Sequence, residues 1–371
     1  LLAGALAVLA YFRDRNWHPA GALVAAIAFA MGGSAAWRIQ HTGQILSLAW
    51  FPIVLLLLDR ALTRASVAYG ALAGVAAGFM LLGRDQVAGL SALTLAGYVL
   101  AHVLAGPAKG ARLRAALAPL LAAGLAALAI VLVPVLMTAV LAAGSNRAQI
   151  DLAGAGRGSL HPAALATAFI ANLFGTDGDF KEYWGPPSPL WGLVDLYIAR
   201  NMSNVYSGAL VVLAVVIGAA GGGLWKAGAR FFGVALLILL LYTLGRYTPF
   251  FGAAHALVPG VDLFRRPADG TFLIGALAAY AAGHVVHVLL SGETHLVTRA
   301  GRVAISLSLA AVLAGVALAV TKGRLSYAWP MIAEGAAWLL AAMIAAALAV
   351  HRRRGAPAAL AAGLALFLTA D

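Results

Sequence analysis

Apolar and polar residues alternate along this chain in long blocks. Apolar segments lie at 1–12, 20–36, 45–58, 67–82, 87–105, 115–143, 205–224, 231–244, 271–290, 303–320, 331–350 and 357–370. A helix needs about 20 apolar residues to cross the hydrocarbon core of a bilayer, so the shorter segments are expected to extend into their flanking residues. The pattern predicts an all-α protein, a polytopic transmembrane bundle of about eleven or twelve helices.

The composition agrees with a membrane protein, because hydrophobic residues make up 63% of the chain and charged residues only 10%. Cysteine is absent from the sequence, which excludes disulfides, thiol catalysis and cysteine-ligated metals. The chain begins at Leu1 inside one apolar segment and ends at Asp371 directly after another. We therefore interpret residues 1–371 as a single integral-membrane domain and as a fragment cut at both ends.

Basic residues in the short connections indicate the orientation, because lysine and arginine in short loops remain on the cytoplasmic side. If the helices alternate strictly in direction, the more basic connections share that side. They contain Arg13, Arg15, Arg60, Arg64, Lys109, Arg112, Arg114, Lys226, Arg230, Arg299, Arg302 and residues 352–354. The net charge of +12 then serves largely to anchor helices beside anionic headgroups. We accordingly expect membrane lipids as partners and no nucleic acid.

Most acidic residues fall on the opposite, external side, where we place Asp85, Asp151, Asp177, Asp179, Glu182, Asp195, Asp262, Asp269 and Asp371. Acidic residues contribute little to orientation, so their distribution indicates chemistry on the external face. Two external loops are long, at 144–204 and 245–270. The first mixes charged, aromatic, glycine and proline residues, as ordered functional loops do. Its apolar part at 162–174 predicts an interfacial or re-entrant helix.

The first of four polar groups follows the second apolar segment. Arg38, His41 and Gln44 are three residues apart, a spacing that places them on one face of a helix. This arrangement makes them candidates for binding a substrate. The alternative is an interfacial anchor, in which Trp37 and Arg38 lie at the level of the lipid headgroups.

The second polar group is the GRDQ sequence at 83–86, between two closely spaced apolar segments. A charged pair at the membrane boundary is costly unless it has partners, so Arg84 and Asp85 are functional candidates. The alternative is an ion pair that closes a tight turn.

The third polar group is acidic and aromatic. Asp177, Asp179 and Glu182 lie within six positions, and Tyr183 and Trp184 follow directly. Three carboxylates around a glycine are suited to ligate Mg²⁺ or Mn²⁺, or to supply a base for a hydroxyl group. The alternative is a solvated acidic turn.

The fourth polar group is basic and external. Arg246, Arg265 and Arg266 lie on the wrong side of the membrane to serve as topological anchors. Guanidinium groups bind phosphate bidentately, and an anionic lipid headgroup is the phosphate at that depth. The alternative is snorkelling to ordinary phospholipid.

Segment 20–62 resembles the YfhO-like bacterial membrane proteins. Their pattern is a small-residue helix ending in Ser-Gly, an arginine or aromatic residue, a histidine, and an Ala-Trp-Leu-Pro entry to the next helix. Ser34, Arg38, His41 and the AWFP sequence at 49–52 match it. The family's Gly-His-Pro-Gln turn keeps only its glycine and glutamine, at 83–86. Segments 159–175 and 244–270 also look like family segments.

This resemblance implies a GT-C type glycosyltransferase architecture in the bacterial cytoplasmic (inner) membrane, acting on its external face. The donor would be a polyprenyl-phosphate-linked sugar, and the acceptor a glycan or lipid of the cell envelope. The family's signature catalytic carboxylate lies in the first external loop, which we expect before Leu1. Its soluble C-terminal region is expected beyond Asp371.

Together, these considerations predict one external cavity on which the loops at 83–86, 144–204 and 245–270 converge. The predicted catalytic residues are Asp85, Asp179 and Glu182, and the predicted metal ligands are Asp177 and Asp179. The predicted lipid-phosphate ligands are Arg84, Arg246, Arg265 and Arg266. The predicted substrate-binding residues are Arg38, His41, Gln86, Tyr183 and Trp184.

Two other classes of function fit the same sequence. A transporter or flippase of polyprenyl-linked or anionic lipid would use the same arginines without a catalytic base. Transporters usually carry internal repeats and ionisable groups near the middle of the membrane, whereas the charges here lie at the outer helix ends. A non-catalytic scaffold for envelope assembly would leave the external carboxylates replaceable.

Overall fold

The computed structural model describes residues 1–36, 38–83, 85–144, 150–175, 183–192, 202–292, 297–351 and 357–371. The fold is all-helical, as predicted, with 79% helix and no strands among these residues. The α-helices are α1 Leu2–Asp14, α2 Pro19–Met31, α3 Gly33–Ala36, α4 Thr42–Thr63, α5 Val67–Leu81, α6 Gln86–Leu104, α7 Lys109–Ala143, α8 Leu152–Ala155, α9 Ala209–Ala220, α10 Arg230–Thr243, α11 Pro249–Leu257, α12 Thr271–Leu290, α13 Val297–Thr321, α14 Leu325–His351 and α15 Pro357–Ala370.

Every predicted apolar segment contains a helix. Within the described ranges, six helical stretches are long and apolar enough to span a membrane: Thr42–Thr63, Gln86–Leu104, Lys109–Leu141, Pro267–Leu290, Arg299–Thr321 and Leu325–Leu348. Shorter apolar helices are Pro19–Met31, Val67–Leu81, Ala209–Ala220 and Arg230–Thr243. These lengths and compositions are those of a membrane protein.

The helix connections gather at two ends of the bundle. At one, which we call the Arg15 end, the α1–α2 turn meets the end of α12, because the His18 amide donates to Nδ1 of His287 at 3.1 Å. At the other, the Arg38 end, the amide of Gly33 donates to the carbonyl of Tyr206 at 2.9 Å. Lys322, after α13, reaches the carbonyl of Leu190 at this second end. Consecutive long helices therefore run in alternating directions.

Helix α12 is the centre of the bundle, with 89% of its apolar span buried. It crosses α2 at Gly21 and Gly283, where a Cβ on either glycine would collide with the other's carbonyl oxygen. Such small residues allow two helix backbones to approach closely in a membrane protein. Because α12 begins at the Arg38 end, its central position also fixes one wall of the polar site described below.

The predicted interfacial helix at 162–174 is wrong. Pro162–Ala168 forms a 3-10 helix, and the chain then turns through residues 171–174. Ile170, Leu173 and Phe174 are buried in a cluster with residues of α13 and α14. An interfacial helix needs one polar and one apolar face, but this segment is rich in alanine, forms no continuous helix, and packs its Ile170, Leu173 and Phe174 against other helices.

Candidate functional site

Arg38 lies at the centre of a polar group at the Arg38 end. Its side chain has no exposed surface. One Nη donates to the Thr271 hydroxyl at 2.6 Å, and the guanidinium carbon lies 4.3 Å above the Phe272 ring. An anchor at headgroup level would keep its charge in water, so this alternative is wrong for Arg38. Trp37 lies outside the described residues.

Local backbone turns position Arg38 and His41. Helix α2 ends at Met31, and the amide of Arg38 then donates to the carbonyl of Ala35 at 3.2 Å. The amide of His41 donates to the carbonyl of Arg38 at 2.8 Å, and His41 precedes the first residue of α4. The predicted helical face for Arg38 and His41 is therefore wrong, because consecutive turns and not one helix bring these residues together.

Asp269 is the buried countercharge of this group. Its side chain is 1% exposed, and its Oδ2 lies 3.5 Å from Nη2 of Arg266. Asp269 also attracts the guanidinium of Arg38, while the buried Gln44 side chain lies beside it. Two arginines and one aspartate thus form one charged group, in which Arg38 and Asp269 are buried and Arg266 is partly exposed.

Burial and charge also affect the titration of the two turn residues. Burial lowers the pKa of Arg38 to about 10, an effect that Asp269 opposes and Arg266 reinforces. Arg38 therefore remains a cation at neutral pH. Burial is also the main cause that lowers the pKa of His41, followed by repulsion from Arg38 and from Arg266. The partly exposed His41 imidazole is accordingly neutral at pH 7.

Arg266 has a strained backbone. Its φ of 66° and ψ of 69° lie in the left-handed region, although it is not glycine and precedes Pro267. Its amide donates to the carbonyl of Arg157 at 2.8 Å, and the amide of Ala268 donates to the carbonyl of Gly158 at 3.2 Å. These bonds join the 150–175 segment to the loop that contains Arg265 and Arg266.

Gln86 supports the same loop from α6. Its buried side-chain amide lies 2.7 Å from the Tyr242 hydroxyl and next to the carbonyl oxygens of Arg265 and Arg266. The amide satisfies all three groups when its NH₂ donates to both carbonyls and its oxygen accepts from Tyr242. Gln86, predicted to bind substrate, thus contacts the backbone that carries the arginines.

Both carboxylate oxygens of Asp85 accept hydrogen bonds from nearby residues. Its Oδ1 accepts from the amide of Ala88 at 2.9 Å, which caps the N-terminus of α6, and its Oδ2 accepts from the Ser47 hydroxyl at 3.0 Å. One carboxylate oxygen therefore caps α6, and the other joins its N-terminus to α4. Arg84, predicted as a lipid-phosphate ligand, lies outside the described residues.

The remaining arginines form the exposed rim of the site. Arg265 is exposed, whereas the side chain of Arg266 is 32% exposed and reaches inward. Arg246 is also exposed, and its amide donates to the Ser159 hydroxyl at 3.0 Å. The exposed Arg157, not predicted as a site residue, lies beside them because its carbonyl accepts from Arg266.

The third predicted group is not part of this site as far as the structure describes it. Trp184 is 1% exposed, with its ring centroid 4.8 Å from that of Phe174, in the hydrophobic cluster of α13 and α14. It is a core residue, so a substrate has no access to it. The partly exposed Tyr183 donates to the carbonyl of Pro186 at 2.9 Å.

The predicted metal ligands and two predicted catalytic carboxylates, Asp177, Asp179 and Glu182, lie outside the described residues. In the part of the chain that the structure does describe, no group of three His, Cys, Asp or Glu residues is placed to hold a metal ion.

The described residues therefore define a helical protein with six helical stretches long and apolar enough to span a membrane and with an arginine-rich polar site at one end. In comparisons with known proteins, no family model, no curated protein and no solved structure matches this chain. The resemblance to the YfhO-like proteins stays a prediction.

Proposed function

We propose that this protein is a membrane glycosyltransferase that transfers a sugar from a polyprenyl-phosphate donor to a cell-envelope acceptor at the Arg38 end. The observation that carries the proposal is the placement of Arg266. Its guanidinium lies 3.5 Å from the buried Asp269 while its side chain is partly exposed, and the exposed Arg265 directly precedes it in the chain. Guanidinium groups match phosphate oxygens bidentately, and a lipid donor would present its phosphate at this depth.

The energetics support a binding role for Arg266. A non-glycine residue in the left-handed region costs roughly 1–3 kcal/mol and persists only where its surroundings enforce it. Here the enforcing contacts come from Arg157, from Gly158 and from Gln86, on two other segments of the chain. Strain held in this way is typical of ligand-binding sites.

In the proposed reaction, the acceptor hydroxyl attacks the anomeric carbon of the donor. The bond from that carbon to the phosphate oxygen breaks, and its electron pair passes to the phosphate. Arg265 and Arg266 would stabilise the negative charge as it develops. The hydroxyl proton passes to a base, for which Asp179 and Glu182 are the candidates. The local contacts of Asp85 favour a structural role for it.

Sugar transfer in proteoliposomes tests the proposal, with the full-length protein and a polyprenyl-phosphate-linked sugar. Arg265→Gln removes an exposed cation, and Arg266→Gln removes its neighbour while Asp269 keeps the buried Arg38 as its countercharge. Because hydrogen bonds to charged groups contribute about 1.5–3 kcal/mol each, we expect the donor KM to rise about 10- to 100-fold. Lys109→Gln with Arg114→Gln removes two exposed charges at the Arg15 end and should leave KM unchanged.

The same preparation separates the other classes of function. A transporter or flippase would move the donor lipid between leaflets without transferring sugar, and its rate would depend on the same arginines. A scaffold would show neither activity. Wild-type transfer that is insensitive to the rim variants would overturn the assignment of the arginines.

A further inference from the structure

A second basic surface lies at the start of α13, at the opposite end of the bundle from the site above. Arg299, Arg302 and Ser306 follow one another at spacings of three and four, so they share a face of the helix. Val303 and Leu307 lie on the same face. These five residues line an open cavity of about 440 Å³.

The two arginines of this cavity differ from their neighbours at the Arg15 end. Arg15 pairs with Asp59 at 2.8 Å, and Arg60 pairs with Asp14 at 2.6 Å. Among the described residues, by contrast, Arg299 and Arg302 have no hydrogen bond or ion pair, and both are exposed. Two guanidinium groups on one face thus have no countercharge among the residues that the structure describes.

Along the cavity, charged residues are followed by apolar residues, just as the charged headgroup of a lipid is followed by its acyl chains. Arg299 is the first residue of the apolar span Arg299–Thr321. Because a helix rises 1.5 Å per residue, Val303 and Leu307 lie about 6 and 12 Å farther along the span. The apolar surface continues beyond them, since Leu309 and Leu313 are also exposed.

We propose that this cavity binds one anionic phospholipid. Arg299 and Arg302 contact its phosphate, Ser306 donates to a headgroup or ester oxygen, and an acyl chain lies along Val303 and Leu307. Two cations with no carboxylate partner in the described part of the chain favour a headgroup with net negative charge over a zwitterionic one, whose own cation they would repel. The apolar part favours a lipid over a soluble phosphate. This proposal does not depend on the glycosyltransferase activity.

Native mass spectrometry of the purified protein, with phosphatidylglycerol or phosphatidylcholine added, tests this site. Each basic residue near an anionic headgroup contributes to binding, so Arg299→Gln with Arg302→Gln should weaken phosphatidylglycerol binding about 10- to 30-fold. Phosphatidylcholine binding should change little. Leu307→Asn should weaken phosphatidylglycerol binding while both arginines are retained.

Lys109→Gln with Arg114→Gln is the matched control, because it removes two exposed positive charges from the same end, on α7. If the control weakens phosphatidylglycerol binding as much as the α13 variant, binding follows general surface charge and the proposal fails. It also fails if the α13 variant retains wild-type affinity while its thermal unfolding is unchanged. Inorganic phosphate that displaces the lipid at equal concentration would identify a soluble anion as the ligand instead.

Discussion

Asp269 determines the charge balance of the Arg38 end. It is the carboxylate that attracts both Arg38, which is fully buried, and Arg266. Asp269→Asn leaves the Arg38 guanidinium buried without this countercharge. Breaking a buried pair in this way costs about 3–5 kcal/mol. We expect a clear fall in the midpoint of thermal unfolding in detergent.

Asp262→Asn is the control for this prediction, because Asp262 lies in the same loop and is partly exposed. Its effect should stay within about 0.5 kcal/mol. Adding Arg38→Met to Asp269→Asn should restore part of the stability, since an apolar replacement removes the uncompensated charge. Similar small effects of the two aspartate variants would show that Asp269 does not compensate Arg38.

His41 predicts a pH dependence of stability. Its pKa in the folded protein is lowered, first by burial and then by Arg38 and Arg266. The unfolded chain therefore binds a proton more readily, so the contribution of His41 to stability is present above about pH 6.5 and is lost as pH falls. We expect the loss of thermal stability between pH 8 and pH 5 to be smaller in His41→Gln than in wild type. Parallel curves would contradict this assignment.

Single residues of the site could be predicted where a polar side chain occurs beside an apolar segment of the sequence. Arg38, His41 and Arg266 stand out as polar residues next to apolar segments. The contacts within the site could not be predicted, because the hydrogen bond from Arg38 to Thr271 joins residues that are 233 positions apart in the sequence. Asp269 was predicted to be external but was given no binding or catalytic role, although it lies three residues after Arg266, since spacing alone does not reveal burial.

At the scale of the elements, glycines set the distance between α5 and α7. A Cβ on Gly70 would collide with the backbone of Pro119, and a Cβ on Gly74 with that of Ala123. Gly74→Ala should therefore separate the two helices and destabilise the protein by about 1–3 kcal/mol. Gly124→Ala on α7 is the control, because a Cβ there meets no atom within 4 Å.

The sign of the effect is the decisive measurement for this pair of variants. Gly124→Ala should stabilise the protein slightly, by roughly 0.5–1 kcal/mol, since alanine has the better helix propensity. The thermal midpoints should thus move in opposite directions. If both variants raise the midpoint, the close contact of α5 with α7 does not constrain the fold.

The long helices could be predicted because a long apolar segment in a bilayer must satisfy its backbone hydrogen bonds internally, as a helix does. The ends of the helices were harder to predict. The segment 205–224 yields a helix only from Ala209, because Gly208 adopts a φ of 110° before it. The segment 162–174 was predicted wrongly because its apolar residues face other helices, and apolar composition alone does not distinguish a lipid-facing surface from a protein core.

At the scale of the whole molecule, two polar networks lie at opposite ends and α12 connects them. At the Arg15 end, Arg15 contacts Asp59 bidentately at 2.8 and 2.9 Å, and both bind the Tyr98 hydroxyl. At the Arg38 end, Arg38 and Arg266 flank Asp269. Between them α12 presents Leu273, Ala276 and Leu277, all buried. No described polar residue of α12 bridges this stretch, which favours separate roles for the two ends.

The orientation of these ends in the membrane gives the last prediction. The basic connections predict that the Arg15 end is cytoplasmic and the Arg38 end external. Because the chain contains no cysteine, single cysteines can be introduced without any background of native thiols. Ala253 and Lys109 are both exposed, at the Arg38 end and the Arg15 end respectively.

A membrane-impermeant maleimide added to intact spheroplasts should label Ala253→Cys and leave Lys109→Cys unlabelled, whereas lysed membranes should label both. Reversed labelling would invert the orientation and place the arginine rim where an external donor has no access. Labelling of both positions in intact cells would contradict the separation of the two ends by a bilayer, on which the assignment of the rim to a lipid phosphate also depends.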